Sequence, residues 1–256
     1  MLEYWKYAVI ALIIIAIVVI TIIIIKRKKT YTDTVPDSIS INTRTILMNS
    51  DDSSKQIVNT SGSTILGLFN FQFANRTQTL NNKYISILGI NSSWNLEILR
   101  HPTKTDITTA RLRVTTLSGN GVKDEVISLP DIPLQKWVMI GILRDGRRFD
   151  VMYDGVIVSS QRVQNYPHST PSPLTVGNSN IVGNVVHVIV YPERLNSNNV
   201  NRVYTSLVDT NGAPKKSITE LILPGKISMS FPSLSGVFSV DKTPSDNLKA
   251  WSTPYA

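Results

Sequence analysis

KWVMIGILRDGRRFDVMYDGVIVSSQ, Lys136 to Gln161, is the stretch that decides the fold class. Three short runs rich in β-branched and aromatic residues, Lys136 to Arg144, Arg148 to Tyr153 and Val156 to Ser160, are separated by Asp145-Gly146 and Asp154-Gly155. An Asp-Gly pair between alternating runs predicts a tight hairpin of type I′, in which both central residues need positive φ and glycine supplies it without a steric clash. In RFDVMY, Phe149, Val151 and Tyr153 fall on one face and Asp150 and Met152 on the other, the period of a strand. Trp137 alternates with Met139, Gly141 and Leu143 and is expected as a core aromatic.

The same punctuation extends in both directions. Upstream, Ile41 to Met48, Thr64 to Phe73, Tyr84 to Ile90, Trp94 to Arg100 and Ala110 to Leu117 read as strands; downstream, so do Leu174 to Gly177 and Val185 to Tyr191. About ten strands with no helices between them disfavour a parallel sheet and predict an all-β, antiparallel two-sheet sandwich. The one helical candidate is Asn196 to Val208, where Val200, Val203, Tyr204 and Leu207 recur at i, i+3, i+4 and i+7. At 42% hydrophobic and 17% charged over 256 residues, the chain carries enough apolar material for a core of this size. The absence of cysteine excludes thiol catalysis, cysteine-ligated metals and a disulfide framework.

Two stretches together carry a family likeness. The first is Lys136 to Gln161, a strand opened by Trp137, an Asp-Gly turn, a second strand, Tyr153-Asp154-Gly155 and a third strand. The second is Leu174 to Tyr204, a Leu-x-Val-Gly strand end, then a glycine before a strand ending in Val-Tyr, then an Asn-rich segment running into a short helix. In order and spacing they resemble the laminin G-like branch of the concanavalin A-like lectin and glucanase superfamily, over about residues 41 to 210. The resemblance implies a jelly-roll of two curved antiparallel sheets.

The N-terminus is of another character. Ala8 to Ile25 is uncharged, and as a helix its 18 residues would rise about 27 Å, close to the hydrocarbon thickness of a bilayer. Tyr4, Trp5 and Tyr7 precede it like an interfacial aromatic belt, and Lys26, Arg27, Lys28 and Lys29 close it with cations. A retained transmembrane helix is therefore expected, not a cleaved signal peptide, because no small-residue cleavage site follows. The cations predict that the C-terminal part stays on the cytosolic face, with the lipid bilayer as a partner. The sequons at Asn59, Asn75 and Asn91 carry little weight, since chance gives about four in a chain so rich in Asn, Ser and Thr. The expected organisation is an anchor with its basic flank at 1–29, a polar linker at 30–40, the sandwich at 41–210 and a Pro/Ser-rich extension at 211–256. Five of the 26 Lys/Arg lie in the first 29 residues, so the formal charge of +8 does not describe a strongly basic domain, and no nucleic-acid partner is expected.

Catalysis is not expected either. Glycoside hydrolases of the superfamily need two carboxylates facing one cleft, and the Glu-x-Asp-x-x-Glu strand signature is missing. Glu97, the one strand-borne glutamate in the middle of the sandwich, is expected on a solvated face. His187 is expected as a satisfied sheet residue. The resemblance implies that Asp154 could serve as a calcium ligand, although no acidic cluster accompanies it; no other cofactor is expected. What remains is a non-catalytic module that binds a glycan or a protein at a membrane surface, with Trp94, Tyr166 and Trp251 as exposed aromatics to stack on sugar rings. The layout of anchor plus Cys-free sandwich also resembles that of structural membrane-associated virion proteins of large DNA viruses, which would link membrane and capsid; a glycoside hydrolase is the weaker alternative.

Overall fold

In a computed structural model, residues 31–74, 83–101, 103–119 and 121–215 are described. The expected anchor with Trp5 and Lys26 to Lys29, and nearly all of the extension with Trp251, lie outside these residues. Among the described residues no helix is long and apolar enough to cross a membrane.

Fourteen strands follow in chain order. They begin with β1 (Thr32–Asp33), β2 (Ile39–Ser40), β3 (Thr45–Met48), β4 (Gly62–Phe73), β5 (Ile85–Ile90) and β6 (Trp94–Arg100). The long hairpin β7 (Ile107–Ser118) and β8 (Gly121–Pro133) comes next, then β9 (Val138–Asp145), β10 (Arg148–Tyr153) and β11 (Val156–Arg162). The last are β12 (Tyr166–Pro167), β13 (Leu174–Val176) and β14 (Ile181–Tyr191). They form two antiparallel seven-stranded sheets, ordered β1-β14-β4-β9-β10-β11 with β2 also on β14, and β12-β7-β6-β5-β13-β3 with β8 on the other edge of β7. The two-sheet antiparallel sandwich is as the alternating runs predict.

Between the sheets lies one apolar layer that includes Phe69, Phe71, Trp94, Leu112, Phe149 and Val151. A second layer covers the outer face of the β4 sheet, where Leu66, Leu68, Met139, Leu143 and Met152 meet the helix α2 (Ser197–Leu207) through Val200, Val203 and Leu207. Strand β10 shows both: Phe149 and Val151 enter the first layer, Met152 the second. Trp137 sides with Met139 and Leu143, so this half-buried aromatic packs under the helix and not between the sheets. The helix begins where Asn196 accepts a hydrogen bond from the Asn199 N–H, as an N-cap does.

The structure departs from the sequence reading in four local features of the chain. Asp154 and Gly155 both have positive φ, 47° and 80°, as type I′ requires, but in the other hairpin Asp145 still pairs with Arg148. The turn there is Gly146-Arg147, with positive φ at Gly146 only, the pattern of type II′. The expected linker at 30–40 is corrected: Thr32 and Asp33 pair with Val190 and Ile189, Ile39 with Val185, and Val35 is buried. Strand β8 was hidden because its Lys123, Asp124 and Glu125 break the apolar alternation of an edge strand. A short helix α1 (Ser50–Ser53), continued by a π-helical turn at Ser54–Val58, was hidden by its polar residues. Arg144 holds the end of that turn: its buried guanidinium donates to the carbonyls of Ile57, Val58 and Thr60, and burial lowers its pKa against the pull of Asp145. Gly177 of the Leu-x-Val-Gly motif has φ 92°, and a Cβ there would lie 2.2 Å from the Thr43 carbonyl oxygen.

Candidate functional site

The strand registers bring several chain segments to one end of the sandwich. β4 begins there, with Gly62 opposite Asp145; β9 ends and β10 begins there, β11 ends at Arg162 opposite Arg148, and β14 ends at Tyr191 opposite Thr64. In the other sheet, Leu117 near the tip of the β7–β8 hairpin lies between Val122 and Tyr166. An open cleft of about 650 Å³ runs between the Gly146-Arg147 turn, the end of β11 and Tyr166. That size suits a small ligand. Another crevice, of about 30 Å³ beside Phe73, Arg100 and Leu134, has room for little more than one water.

Each wall of the cleft is fixed from beneath. Asp150 is fully buried and accepts from Arg148 Nε at 2.9 Å, Ser160 Oγ at 2.6 Å and the Arg194 guanidinium, while Arg148 also donates to Ser160 Oγ. Burial alone would raise the Asp150 pKa, but these three donors outweigh it and hold the carboxylate below its usual range. Glu125 plays the same part on the opposite wall, accepting from the N–H groups of Gln164 and Asn165 and from Thr116 Oγ1. Desolvation opposes its ionisation and those hydrogen bonds outweigh it, so its pKa is lowered. Arg147 donates Nη1 to the Gln164 carbonyl at 2.6 Å and sits over the Tyr166 ring at 5.3 Å. Tyr166 is 67% exposed. The side chains of Arg162 and Gln161 are exposed at the mouth and make no hydrogen bond or ion pair among the described residues. Asp145 is the one carboxylate lining the cleft among the described residues.

Of the two expected sugar-stacking aromatics among the described residues, Tyr166 stands where a sugar could reach it and Trp94 does not. Trp94 is 1% exposed and belongs to the layer between the sheets, because its position on β6 shares the inward face with Leu96 and Ile98. The expectation for Trp94 is corrected on that ground, and Trp251 lies outside the described residues. Asp154 does not suit calcium. Its Oδ1 accepts the Met139 N–H at 2.8 Å, partial burial raises its pKa despite that bond, and no group of three His, Asp or Glu side chains gathers among the described residues. It ties the β10–β11 turn to the neighbouring strand: the carboxylate and the N–H of Asp154 both bond the backbone of Met139 in β9.

Glu97 is also corrected. It is 6% exposed although it points away from the inner layer, because Arg111 and Arg113 fold over it at 2.7 Å each. Arg113 continues to Asp124, which also accepts from Thr115, and Arg111 stacks on Tyr84 at 3.6 Å. For Arg113, burial works against the charged form and the two carboxylates more than offset it, so its pKa is raised. His187 is buried, with φ 55° at a bulge in β14 and its Nδ1 3.6 Å from Asp33 Oδ2, beyond hydrogen-bond reach. The signal missed for the cleft was its arginines: Arg147, Arg148 and Arg162 are spread over two hairpins, and only the register brings them together.

No family model and no curated protein matches this chain. Among solved structures it resembles a tryptophan mutant of HCR/D, with TM-score 0.50 and 12% identity over 73% of this chain and 51% of that one. It also resembles the receptor binding domain of a botulinum neurotoxin C/D mosaic serotype (TM-score 0.47, 13% identity, 70% and 46% coverage). The binding domain of botulinum neurotoxin serotype G is a third (TM-score 0.43, 18% identity, 72% and 49% coverage). The chain spans about half the length of these domains. The likeness shows the β-sandwich fold.

Proposed function

We propose that the chain is a non-catalytic recognition module of laminin G-like type that binds a saccharide in the cleft beside Tyr166, and that Ala8 to Ile25 hold it in a membrane. The observation that carries the reading is Tyr166 itself, two-thirds exposed on the wall of a ligand-sized cleft and steadied from one side by Arg147. An exposed tyrosine face offers a sugar ring an apolar platform with a hydroxyl at its tip. Around it, the Ser160 hydroxyl, the Gln161 amide and the Arg162 guanidinium supply hydrogen bonds suited to sugar hydroxyls. The supports are rigid, so little ordering opposes binding: Asp150 fixes Arg148 and Ser160, and Glu125 fixes the backbone leading to Tyr166.

A glycan array probed with residues 30–256 tests this. The reading expects binding to a restricted set of glycans that Tyr166→Ala abolishes while the far-ultraviolet β signal is kept. Silence on the array, with a protein that co-purifies with the wild type, would replace it by a scaffold that links a membrane to an assembly.

A further inference from the structure

We infer that the end of the sandwich bearing the cleft docks on an anionic lipid surface, with Leu117 and Val122 entering the interface and Arg147 and Arg162 facing its negative charges. The cross-strand row Tyr166–Leu117–Val122 joins three strands on one face, and its members are 67%, 48% and 59% exposed. Three large side chains directly opposite one another across the strands and open to water form a patch where solvated residues would be expected on this edge. The row borders the Arg147 guanidinium, which covers the Tyr166 ring, and Arg147 and Arg162 belong to the cleft beside it. Apolar side chains flanked by guanidinium groups match the boundary between acyl chains and acidic headgroups.

The position of the chain's entry selects a bilayer over a protein partner. Tyr31, the first described residue of the domain, precedes Thr32, which pairs with Val190 beside the end of β14, so the chain enters at this same end. The ring of Tyr31 lies 5.5 Å from that of Tyr191, the last residue of β14. From β1 to the β9–β10 turn is a lateral distance of three to four strand spacings, about 14 to 19 Å. Lys26 to Lys29 lie within five residues of Tyr31, a reach of about 17 Å when extended. A basic run that closes an apolar span, followed at once by this domain, leaves the domain's entry end as the face turned to the surface. The opposite end has Val182 at the start of β14, 37% exposed, with Ile181 opposite Phe73. This inference rests on the proposed membrane attachment; combined with the saccharide reading, it makes the glycan one displayed by that membrane.

The chain lacks cysteine, which allows a direct test on the full-length protein in nanodiscs. A polarity-sensitive dye is placed on Val122→Cys or, as the far-end control, on Val182→Cys. The expected result is a blue shift at position 122 in discs containing phosphatidylserine, absent in phosphatidylcholine discs, absent at position 182, and lost with Arg147→Gln/Arg162→Gln or in about 1 M salt, where the Debye length falls to about 3 Å. No shift at position 122, or an equal shift in neutral discs, overturns the inference. Docking with a silent glycan array would leave the inference standing and refute the saccharide reading; glycan binding without docking would do the reverse.

Discussion

The two sheets share one buried inner face and solve the problem of their outer faces in opposite ways. The β4 sheet buries its outer face too, under α2, with Leu66, Met139, Leu143 and Met152 nearly inaccessible. The β7 sheet leaves its outer face to water and fills it with a charged ladder, Asp124–Arg113–Glu97–Arg111, ending on Tyr84. Apolar burial at about 25 cal/mol per Å² is cooperative with the core, whereas ion pairs whose arginines are about a quarter exposed are partly screened and gain less. The β4 sheet should therefore carry the stability, and the β7 sheet the adaptable surface.

The comparison breaks most visibly in β10, whose two faces lie in different layers. Phe149→Ala is expected to cost about 3 to 5 kcal/mol from the inner layer, and Met152→Ala about 2 to 5 kcal/mol from the outer one. Denaturant melts of residues 31–215 would measure both. If Met152→Ala proved as mild as an exposed substitution, α2 would not be a true second core.

On the outer face of β10, with Met152, sits Asp150, fully buried with its three donors, and removing its charge with Asn should cost about 3 kcal/mol at neutral pH. The sign of its pH dependence follows from its lowered pKa. The folded value lies below the ordinary aspartate value near 3.8, so the stabilisation is complete above that value and is lost as pH falls through the folded one. Asp150→Asn should lower the melting temperature at pH 7 and flatten the acid limb below about pH 4. An unchanged acid limb would assign it to Glu125, whose pKa is also lowered.

The ladder on the β7 sheet predicts a smaller effect. Glu97→Gln keeps the shape, loses two charge-assisted bonds and should cost about 1 to 2 kcal/mol, with the loss shrinking in high salt. A salt-independent loss would mean that Glu97 acts by packing.

These contrasts also explain what could be read from the sequence. Buried runs such as Val138 to Leu143 and the alternation in RFDVMY announce strands because burial on a sheet face dictates residue type. Strand β8 and α1 did not announce themselves, since edge strands and capped polar turns are held by backbone hydrogen bonds that any residue can make. Glu97 and Trp94 were misplaced for one reason. Alternation fixes which residues share a face, but not what covers that face, and Glu97 is covered by arginines that come from the next strand. Tyr166 could be nominated as an exposed aromatic, yet its cleft depends on Arg147 and Arg162, whose nearness is a matter of register.

The smallest expected effect bears on the helix that sets the two sheets apart. Asn196 caps α2 through the Asn199 N–H at 2.8 Å, and Asn196→Ala should cost about 1 kcal/mol. If α2 only shielded a face already stable by itself, this loss would appear as local fraying, with faster amide exchange in Ser197–Leu207 and an unchanged global melt. If the second layer is part of the cooperative unit, the same substitution lowers the global melting temperature by several degrees, because Val200, Val203 and Leu207 release the outer face of β9 and β10 together. The second outcome is the expected one. Met139, Leu143 and Met152 come from strands whose other faces build the inner layer, so the β4 sheet cannot lose one layer without loosening the other. No comparable coupling exists on the β7 sheet, where Glu97→Gln should leave exchange in β4 and β9 as it was.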